Sequence, residues 1–453
     1  MDGLLTDLRE VVGGPHVIDD PEVAASYAVD WTGRFRGRAA AVVRPGSAAE
    51  VADIVALCRR RGVAVVPQGG NTGMVGGGVP LVGELVVSLR RLDAVGEVDR
   101  LAGQVTVGAG ATLGAVRQAA AAAGWAYGVD FAARDSCTIG GNVGTNAGGL
   151  RVLRYGDTRA QVLGVEAVLG TGQVVSHLGG LLKDNTGYAL PALLCGSEGT
   201  LGVVTAARLR LVPPSPYRVV ALLAFAGTGA AVAAAAEVRR GLPSLSAAEL
   251  MLRPGIELVC RATGAPPPFP GPHPAYLLVE AAGPADPTAD LAAAVGGLDG
   301  VADVAVADDS VRVAALWRYR EAHTEAVNSD GTPHKMDVTL PAAALAEFVD
   351  RVPAHVAAVA PQARTWLFGH VADGNVHVNV TGLDPDDDRV DDAVLLLAAG
   401  YGGSISAEHG IGTAKRRWLH LNRSPAEIDA FRAVKRALDP DGVLNPNVLL
   451  PDP

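Results

Sequence analysis

The chain has 453 residues, enough for about three domains or subdomains, and its apolar content of 49% is ample for large cores. A net charge of −10 argues against a nucleic-acid partner and against a polybasic membrane contact. The four cysteines are scattered without a CxxC pair, which indicates a reducing compartment. The opening MDGLLTDLRE lacks the basic and apolar regions of a signal peptide, so we expect a cytoplasmic protein.

Helix and strand patterns alternate through the first half of the chain. Residues 48–62 have helical periodicity and end at a glycine, and short apolar runs at 63–67, 84–92 and 104–110 predict strands. A helix is predicted over 111–124, and the alternation continues to residue 213. This order is typical of an α/β or α+β fold with many short strands.

The proline-rich PPSP, Pro213–Pro216, predicts a boundary, after which strand–helix–strand units recur without a glycine-rich loop. The apolar stretch Val219–Ala236 is close to the length of a membrane span. Gly227-Thr228-Gly229 interrupts it, so a strand, a turn and a helix are predicted, with a membrane span as the alternative. The acidic run at 384–392 lacks the spacing and closing glutamate of an EF-hand and is predicted to be a solvated loop.

The stretch GHVADGNVHVN contains two histidines, His370 and His377, around the dipeptide Asp373-Gly374. Asp-Gly is well suited to a two-residue hairpin turn. Such a turn would place the two histidines directly opposite each other on one face, with Cβ atoms roughly 4.5–5.5 Å apart. Two imidazoles at that distance could hold one metal ion. The alternative is a hairpin with two solvated histidines.

Three segments are dense in glycine: PQGGNTGMVGGG (67–78), DSCTIGGNVGTNAGG (135–149) and GSEGTLGVVT (196–205). Glycines expose backbone N–H groups that can converge on phosphate oxygens. The first segment is neither a Walker A loop nor a Rossmann fingerprint, and alone it could be a flexible turn. Three such segments in one region suggest a long ligand, and a dinucleotide with its pyrophosphate fits.

These segments, together with LRYGD, LLKDNTGY, GHVADGNVHVNV, SAEHGIG and LDPDGVLNP, resemble the vanillyl-alcohol oxidase/p-cresol methylhydroxylase superfamily, in its D-lactate and D-2-hydroxyglutarate dehydrogenase branch. The similarity extends over nearly the whole chain. It implies an α+β fold with a p-cresol methylhydroxylase-type FAD-binding domain at 1–213 and a ferredoxin-like substrate domain at 214–399. A C-terminal segment, 400–453, would return to the flavin.

The resemblance implies FAD as the cofactor. Some relatives attach FAD through a histidine or cysteine of the first glycine segment, which here contains neither, so non-covalent FAD is expected. The residues implied to bind FAD are Pro67, Gln68, Gly69, Gly70, Asn71, Thr72, Gly73, Met74, Asp130, Ser136, Ile139, Gly140, Gly141, Asn142, Thr145, Asn146, Gly148, Glu198, Gly202, Val203 and Asn445.

The resemblance also implies a divalent metal held by His370, His377 and Glu408. Two imidazoles and one carboxylate suit zinc, the favoured ion, and also manganese or iron. His409 matches the general base of the family, and its ordinary pKa near 6.5 suits proton transfer around neutrality. A purely structural histidine is the alternative.

Arg320, Thr324, Lys335 and Asn379 match positions that bind substrate in the family, and His409 would also contact it. Arg320 and Thr324 are four residues apart, which predicts one helical face. A guanidinium and an ammonium would hold carboxylates, although each charge alone is more often a solvated surface group. A second substrate carboxylate would explain having both cations, which favours D-2-hydroxyglutarate or a related dicarboxylate over D-lactate.

The implied reaction is oxidation of a D-2-hydroxy acid to the 2-oxo acid, with hydride transfer from C2 to the flavin. An enzyme of the same fold acting on D-lactate or glycolate is one alternative, and a flavin-fold protein that binds without turnover is another. The partners expected are this small-molecule acid and an electron acceptor, for which an electron-transfer flavoprotein and a quinone are candidates.

Overall fold

The structure is a computed structural model that describes residues 2–451. It divides into two compact units. The first unit runs from the start of the described residues to Gly149, includes Tyr155–Pro213, and resumes at Glu408. The second unit consists of Leu150–Arg154 and Pro214–Ala407.

Helices and strands are interspersed along the described residues. The helices are α1 (Asp2–Val12), α2 (Pro21–Ala25), α3 (Ala48–Arg61), α4 (Leu113–Ala122), α5 (Ile139–Thr145), α6 (Val152–Tyr155), α7 (Thr158–Gln161), α8 (Leu190–Leu194), α9 (Thr228–Gly241), α10 (Arg253–Thr263), α11 (Thr288–Gly296), α12 (Ser310–Glu321), α13 (His323–Asn328), α14 (Ala342–Val359), α15 (Arg389–Gly400) and α16 (Pro425–Leu438). The strands are β1 (Val17–Ile18), β2 (Ala41–Val43), β3 (Val65–Gln68), β4 (Leu85–Ser88), β5 (Gln104–Gly108), β6 (Val162–Leu169), β7 (Val174–His177), β8 (Gly202–Arg210), β9 (Tyr217–Phe225), β10 (Leu245–Leu252), β11 (Ala275–Gly283), β12 (Val301–Ala307), β13 (His334–Thr339), β14 (Arg364–His370) and β15 (Asn375–Thr381).

The first unit contains two four-stranded sheets, in the orders β1-β2-β4-β3 and β5-β8-β6-β7. In the first sheet β2, β4 and β3 are parallel, and α3 connects β2 to β3. The side chain of Ser47 caps the start of α3, and Gly62 ends the helix in a left-handed conformation. The helices and strands predicted for residues 48–124 are confirmed, with ends shifted by a few residues. This arrangement delivers the first glycine segment directly from the end of β3.

The second unit is built on an antiparallel sheet of seven strands, in the order β12-β9-β11-β10-β14-β15-β13. Its first four strands have the neighbour order of a ferredoxin-like β-α-β-β-α-β unit, and β14, β15 and β13 extend it. The predicted strand, turn and helix at Val219–Ala236 are confirmed as parts of β9 and α9. Within residues 2–451, no helix is long and apolar enough to cross a membrane. The predicted α+β class is confirmed.

The hairpin of β14 and β15 differs in register from the sequence prediction. Phe368, not His370, lies directly opposite His377, and the turn at 371–374 has four residues instead of two. A two-residue turn of the type suited to Asp-Gly needs positive φ at both central positions, but in this turn only Gly374 has it, with φ 84°. The pairing is displaced by an even number of residues, so both histidines still lie on one face of the sheet.

The acidic run at 384–392 is only partly the solvated loop that was predicted. Its last four residues begin α15, where acidic side chains near the N-terminus are favoured by the helix dipole. Asp391 is buried, and its Oδ2 lies 2.6 Å from Nδ1 of His334 in β13. This contact attaches α15 to the edge strand of the sheet.

Replacing Gly374 with alanine tests the observed turn. Its positive φ disfavours any side chain, and a Cβ would lie 2.4 Å from the carbonyl oxygen of Leu340. We expect Gly374→Ala to lower the free energy of unfolding by at least about 1–2 kcal/mol, measured from urea denaturation midpoints. The control is Gly229→Ala, at a helical position with nothing within 4 Å, which should be neutral or slightly stabilising. Equal midpoints for the two variants would contradict the observed turn.

Candidate functional site

The first two glycine segments pack backbone against backbone in the first unit. A Cβ on Gly70 would lie 2.0 Å from the carbonyl oxygen of Ser136, and one on Gly69 would lie 2.2 Å from Oγ1 of Thr138. Neither position therefore has room for a side chain. Arg90 donates hydrogen bonds to the carbonyl oxygens of Gly69 and Gly70, at 3.4 and 3.2 Å. The two segments thus form one continuous loop surface.

Strained backbone is concentrated among the residues predicted to bind FAD. Five non-glycine residues within 2–451 have positive φ, and four of them belong to the predicted set: Asn71, Asn146, Glu198 and Asn445. Such conformations cost on the order of 1–3 kcal/mol each and cluster where a ligand is held. This clustering, read from the backbone alone, supports a binding site at these loops.

Glu198 links the third glycine segment to the C-terminal chain of the same unit. Its buried carboxylate accepts hydrogen bonds from the backbone N–H groups of Ile411 and Gly412, at 2.8 and 2.6 Å. Burial raises the pKa of Glu198, although these two bonds act in the opposite direction. Asn445 donates from Nδ2 to the carbonyl oxygens of Glu198 and Gly77, at 2.7 and 2.9 Å. The C-terminal chain is therefore hydrogen-bonded to the glycine segments that form the loop surface.

The start of α5 offers a test of whether a ligand fits this surface. Thr138 precedes the helix, yet its side chain makes no capping bond, and its Oγ1 is buried without a hydrogen-bond partner. A buried hydroxyl without a partner is unusual and calls for a ligand or an ordered water. Nearby, Asp130 is buried between Arg134 and Arg117, at 3.0 and 3.4 Å. The geometry is compatible with a bound dinucleotide.

Glu408 lies against the end of the second glycine segment. Gly149 donates its backbone N–H to Oε1 of Glu408 at 2.9 Å, and a Cβ on Gly148 would lie 2.2 Å from the same oxygen. Within the first unit, the predicted metal ligand therefore touches the loop predicted to line the flavin. His409, the predicted base, is the next residue and is half-buried.

In the second unit, His370 and His377 face each other with ring centroids 5.3 Å apart. Both are buried, at 7% and 9% exposure. Nδ1 of His370 lies 2.6 Å from Oε1 of Glu249, and Nδ1 of His377 lies 3.3 Å from Oδ1 of Asp337. Each imidazole therefore has a buried carboxylate at the same ring nitrogen, an arrangement common for histidines that bind metal through the other nitrogen.

Arg320 is buried and donates from Nε to Oε2 of Glu249 at 2.5 Å. The helix predicted to carry Arg320 and Thr324 on one face is interrupted at Ala322, because α12 ends at Glu321 and α13 begins at His323. Their shared face stays a prediction. The ring Nδ1 of His323 lies 2.6 Å from the carbonyl oxygen of Tyr319. An unbroken helix would offer that oxygen to the backbone N–H of residue 323, so the side chain competes with the helix at the break.

Lys335 and Asn379 are directly opposite each other on β13 and β15, with Nζ donating to Oδ1 at 3.3 Å. Burial lowers the pKa of Lys335 to about 8. Asp337 and His377 form the next pair of the same ladder that faces the same way. The predicted substrate residues Lys335 and Asn379 therefore share a face with a predicted metal ligand.

Two carboxylates at the centre of this site, Glu249 and Asp337, were missed from the sequence. Both had a signal. Glu249 is the only charged residue in the apolar strand LSAAELML, and Asp337 lies two residues after Lys335, on the same face of a strand. A lone acidic residue in a buried strand requires a partner, although the sequence does not identify which one.

Two family models match the chain. The FAD binding domain matches residues 39–177, and the C-terminal domain of FAD linked oxidases matches residues 215–449, more than half of the chain. The chain therefore belongs to the FAD-linked oxidase family, and this membership indicates an oxidoreductase that uses FAD.

The chain is also similar over nearly its whole length to two D-2-hydroxyglutarate dehydrogenases. D-2-hydroxyglutarate dehydrogenase of Xanthomonas citri pv. viticola is 40% identical over 99% of this chain and 97% of its own length. Mitochondrial D-2-hydroxyglutarate dehydrogenase of Bos taurus is 40% identical over 99% of this chain and 83% of its own length. The resemblance inferred from the motifs is confirmed.

A solved structure of p-cresol methylhydroxylase with substrate bound superposes with a TM-score of 0.80 at 16% identity, covering 98% of this chain and 96% of that chain. The 4-ethylphenol oxidase from Gulosibacter chungangensis gives a TM-score of 0.77 at 18% identity, covering 100% and 97%. At these identities the likeness shows the fold alone, and it confirms the p-cresol methylhydroxylase type.

Replacing Gly70 with alanine tests the loop surface as the FAD site. The added Cβ would push the first two glycine segments apart, since it has no space beside Ser136. We expect Gly70→Ala to lose FAD during purification, measured as the ratio of flavin to protein absorbance. Gly179→Ala, which has nothing within 4 Å, is the matched control. Full FAD occupancy in a folded Gly70→Ala protein would contradict this assignment.

Proposed function

We propose that this chain is an FAD-dependent dehydrogenase that oxidises a D-2-hydroxy acid to the 2-oxo acid, with D-2-hydroxyglutarate or a related dicarboxylate as substrate. The observation that carries the proposal is the face shared by His370, His377 and Lys335, where two facing imidazoles lie beside a buried lysine. The names of the relatives that match over nearly the whole chain support the same substrate class.

The metal site we propose consists of His370, His377 and Glu408, with zinc favoured and manganese or iron as alternatives. The two imidazoles fit a metal because the carboxylates at Nδ1 leave Nε2 as the ligand atom. Support for Glu408 comes from its neighbour in the chain, Ala407, whose backbone N–H donates to Oδ2 of Asp337 at 3.1 Å. A divalent ion bound there would lower the pKa of the substrate hydroxyl.

The remaining roles follow from the chemistry of each side chain. His409 accepts the proton of the C2 hydroxyl, the Lys335 ammonium binds the distal carboxylate, and Asn379 holds Lys335 and donates a hydrogen bond to substrate. Arg320 and Thr324 complete the substrate site. Bound FAD, held non-covalently by the predicted loop residues, supplies the acceptor for the C2 hydride.

One observation favours the second candidate, a D-lactate or glycolate dehydrogenase of the same fold. Arg320 already pairs with Glu249, so part of its hydrogen-bonding capacity is committed within the protein. A substrate with one carboxylate would need fewer cations than a dicarboxylate. The response of each substrate to loss of Lys335 separates the two candidates.

We propose a cytoplasmic location and reoxidation by an external acceptor, such as an electron-transfer flavoprotein, a quinone or another acceptor. The location is supported by the four cysteines, all of which are free thiols as expected for a reducing compartment.

Lys335→Met should discriminate between substrate classes. Losing a charge-assisted hydrogen bond should lower kcat/KM for D-2-hydroxyglutarate about ten- to a hundredfold, with little change for D-lactate. In the unaltered protein, kcat/KM for the dicarboxylate should fall as pH rises through about 8, because the ammonium form is populated below the pKa of Lys335. The variant should lack this loss of activity at alkaline pH.

Equal losses on both substrates would exclude a role of Lys335 in binding the distal carboxylate. Lys183→Met, at an exposed position, is the control.

Replacing either hairpin histidine should separate metal from flavin. His370→Ala and His377→Ala should lose divalent metal and turnover but keep FAD, because the glycine segments belong to the first unit. His409→Gln should keep the metal and reduce the flavin about 10²–10⁴-fold more slowly. His273→Ala removes a histidine that pairs with Asp303 and should change neither property. Full activity of His370→Ala after exhaustive chelation would exclude the metal site.

A further inference from the structure

We infer that Glu249 is a positioning residue for the metal site: its carboxylate fixes the His370 ring so that Nε2 is presented to the ion. The inference rests on the proposed function, since it requires that His370 is a metal ligand. It concerns the affinity for the metal, a quantity separate from turnover.

The contact between Glu249 and His370 crosses two neighbouring strands. The residues are directly opposite in the antiparallel register of β10 and β14, so their side chains share a face. Glu249 is 1% exposed, and its Oε1 lies 2.6 Å from Nδ1 of His370. An ionised carboxylate can only accept, so Nδ1 must carry the proton. The tautomer that results leaves Nε2 as the nitrogen able to bind a cation.

Arg320 balances the charge of the Glu249 carboxylate. Its guanidinium donates from Nε to Oε2 of Glu249 at 2.5 Å, and both side chains are buried. The Arg320 guanidinium also lies over the Phe368 ring, 4.7 Å from its centroid, and that ring is 5.2 Å from the ring of His377. Glu249, Arg320 and Phe368 therefore form one packed group around both histidines.

Glu280 provides an internal comparison within the same sheet. It is fully buried in β11, next to β10, and its carboxylate binds Arg151 at 2.9 Å and the indole N–H of Trp317 at 2.9 Å. Glu280 thus carries the same kind of buried ion pair as Glu249, but its partners are two arginines, Arg151 and Arg218, and a tryptophan, with no histidine among them. A purely structural role would give the two glutamates the same effect on metal binding.

The test is the zinc affinity of FAD-loaded proteins, measured by competition with a chromophoric chelator. Loss of an orienting carboxylate typically costs ten- to a hundredfold in metal affinity, and we expect this loss in Glu249→Gln. Glu280→Gln should bind zinc within about twofold of the unaltered protein. An unchanged affinity in folded Glu249→Gln would overturn the inference and leave the proposed function intact. Zinc binding that survives His370→Ala unchanged would overturn the proposed metal site and the inference together.

A second measurement needs no variant of Glu249 and so holds even if Glu249→Gln fails to fold. Nitrogen NMR of the zinc-loaded protein with labelled histidines reports which ring nitrogen is protonated. For His370, identified by its absence from the spectrum of His370→Ala, we expect a protonated Nδ1 and a zinc-bound Nε2. Zinc bound through Nδ1 would overturn the inference, because Glu249 could not then accept a proton from that nitrogen.

Discussion

An ionised side chain buried in a β-sheet must have a partner, because the free energy of removing a charge from water far exceeds that of any single contact. The second unit meets this requirement across neighbouring strands. Glu249 pairs with His370 and Arg320, and Asp337 lies beside His377. The proposed chemistry depends on these pairs, since an unpaired carboxylate at these positions would favour its neutral form, and an unpaired histidine would have neither its tautomer nor its ring orientation fixed.

The sheet makes this pairing possible through its strand order. β10, β14, β15 and β13 are consecutive neighbours, so residues from three distant parts of the chain share one face. In the first unit, the main constraint is that backbone segments pack closely against each other. There, glycines and four strained non-glycine residues produce the loop surface, and the strain is offset by contacts such as those of Glu198 and Asn445.

The features that could be predicted from the sequence were local, or they depended only on whether a strand register shifts by an even or an odd number of residues. The glycine segments are visible as composition, and the shared face of His370 and His377 survives any even change of register. The register itself was wrong, because the turn depends on backbone angles that Asp373 does not adopt. The partners Glu249 and Asp337 could not be assigned, because Glu249 is 121 residues from His370 and only the sheet brings them together.

If this chain oxidises a D-2-hydroxy acid with its own flavin, an anaerobic titration will show the flavin being reduced. The FAD-loaded, zinc-supplemented protein would be mixed with D-2-hydroxyglutarate, its L enantiomer, D-lactate or glycolate, and the visible flavin absorbance followed without any electron acceptor. We expect stoichiometric bleaching by D-2-hydroxyglutarate, faster than by D-lactate or glycolate, and none by the L enantiomer. A flavin that stays oxidised with every D-2-hydroxy acid would contradict this expectation.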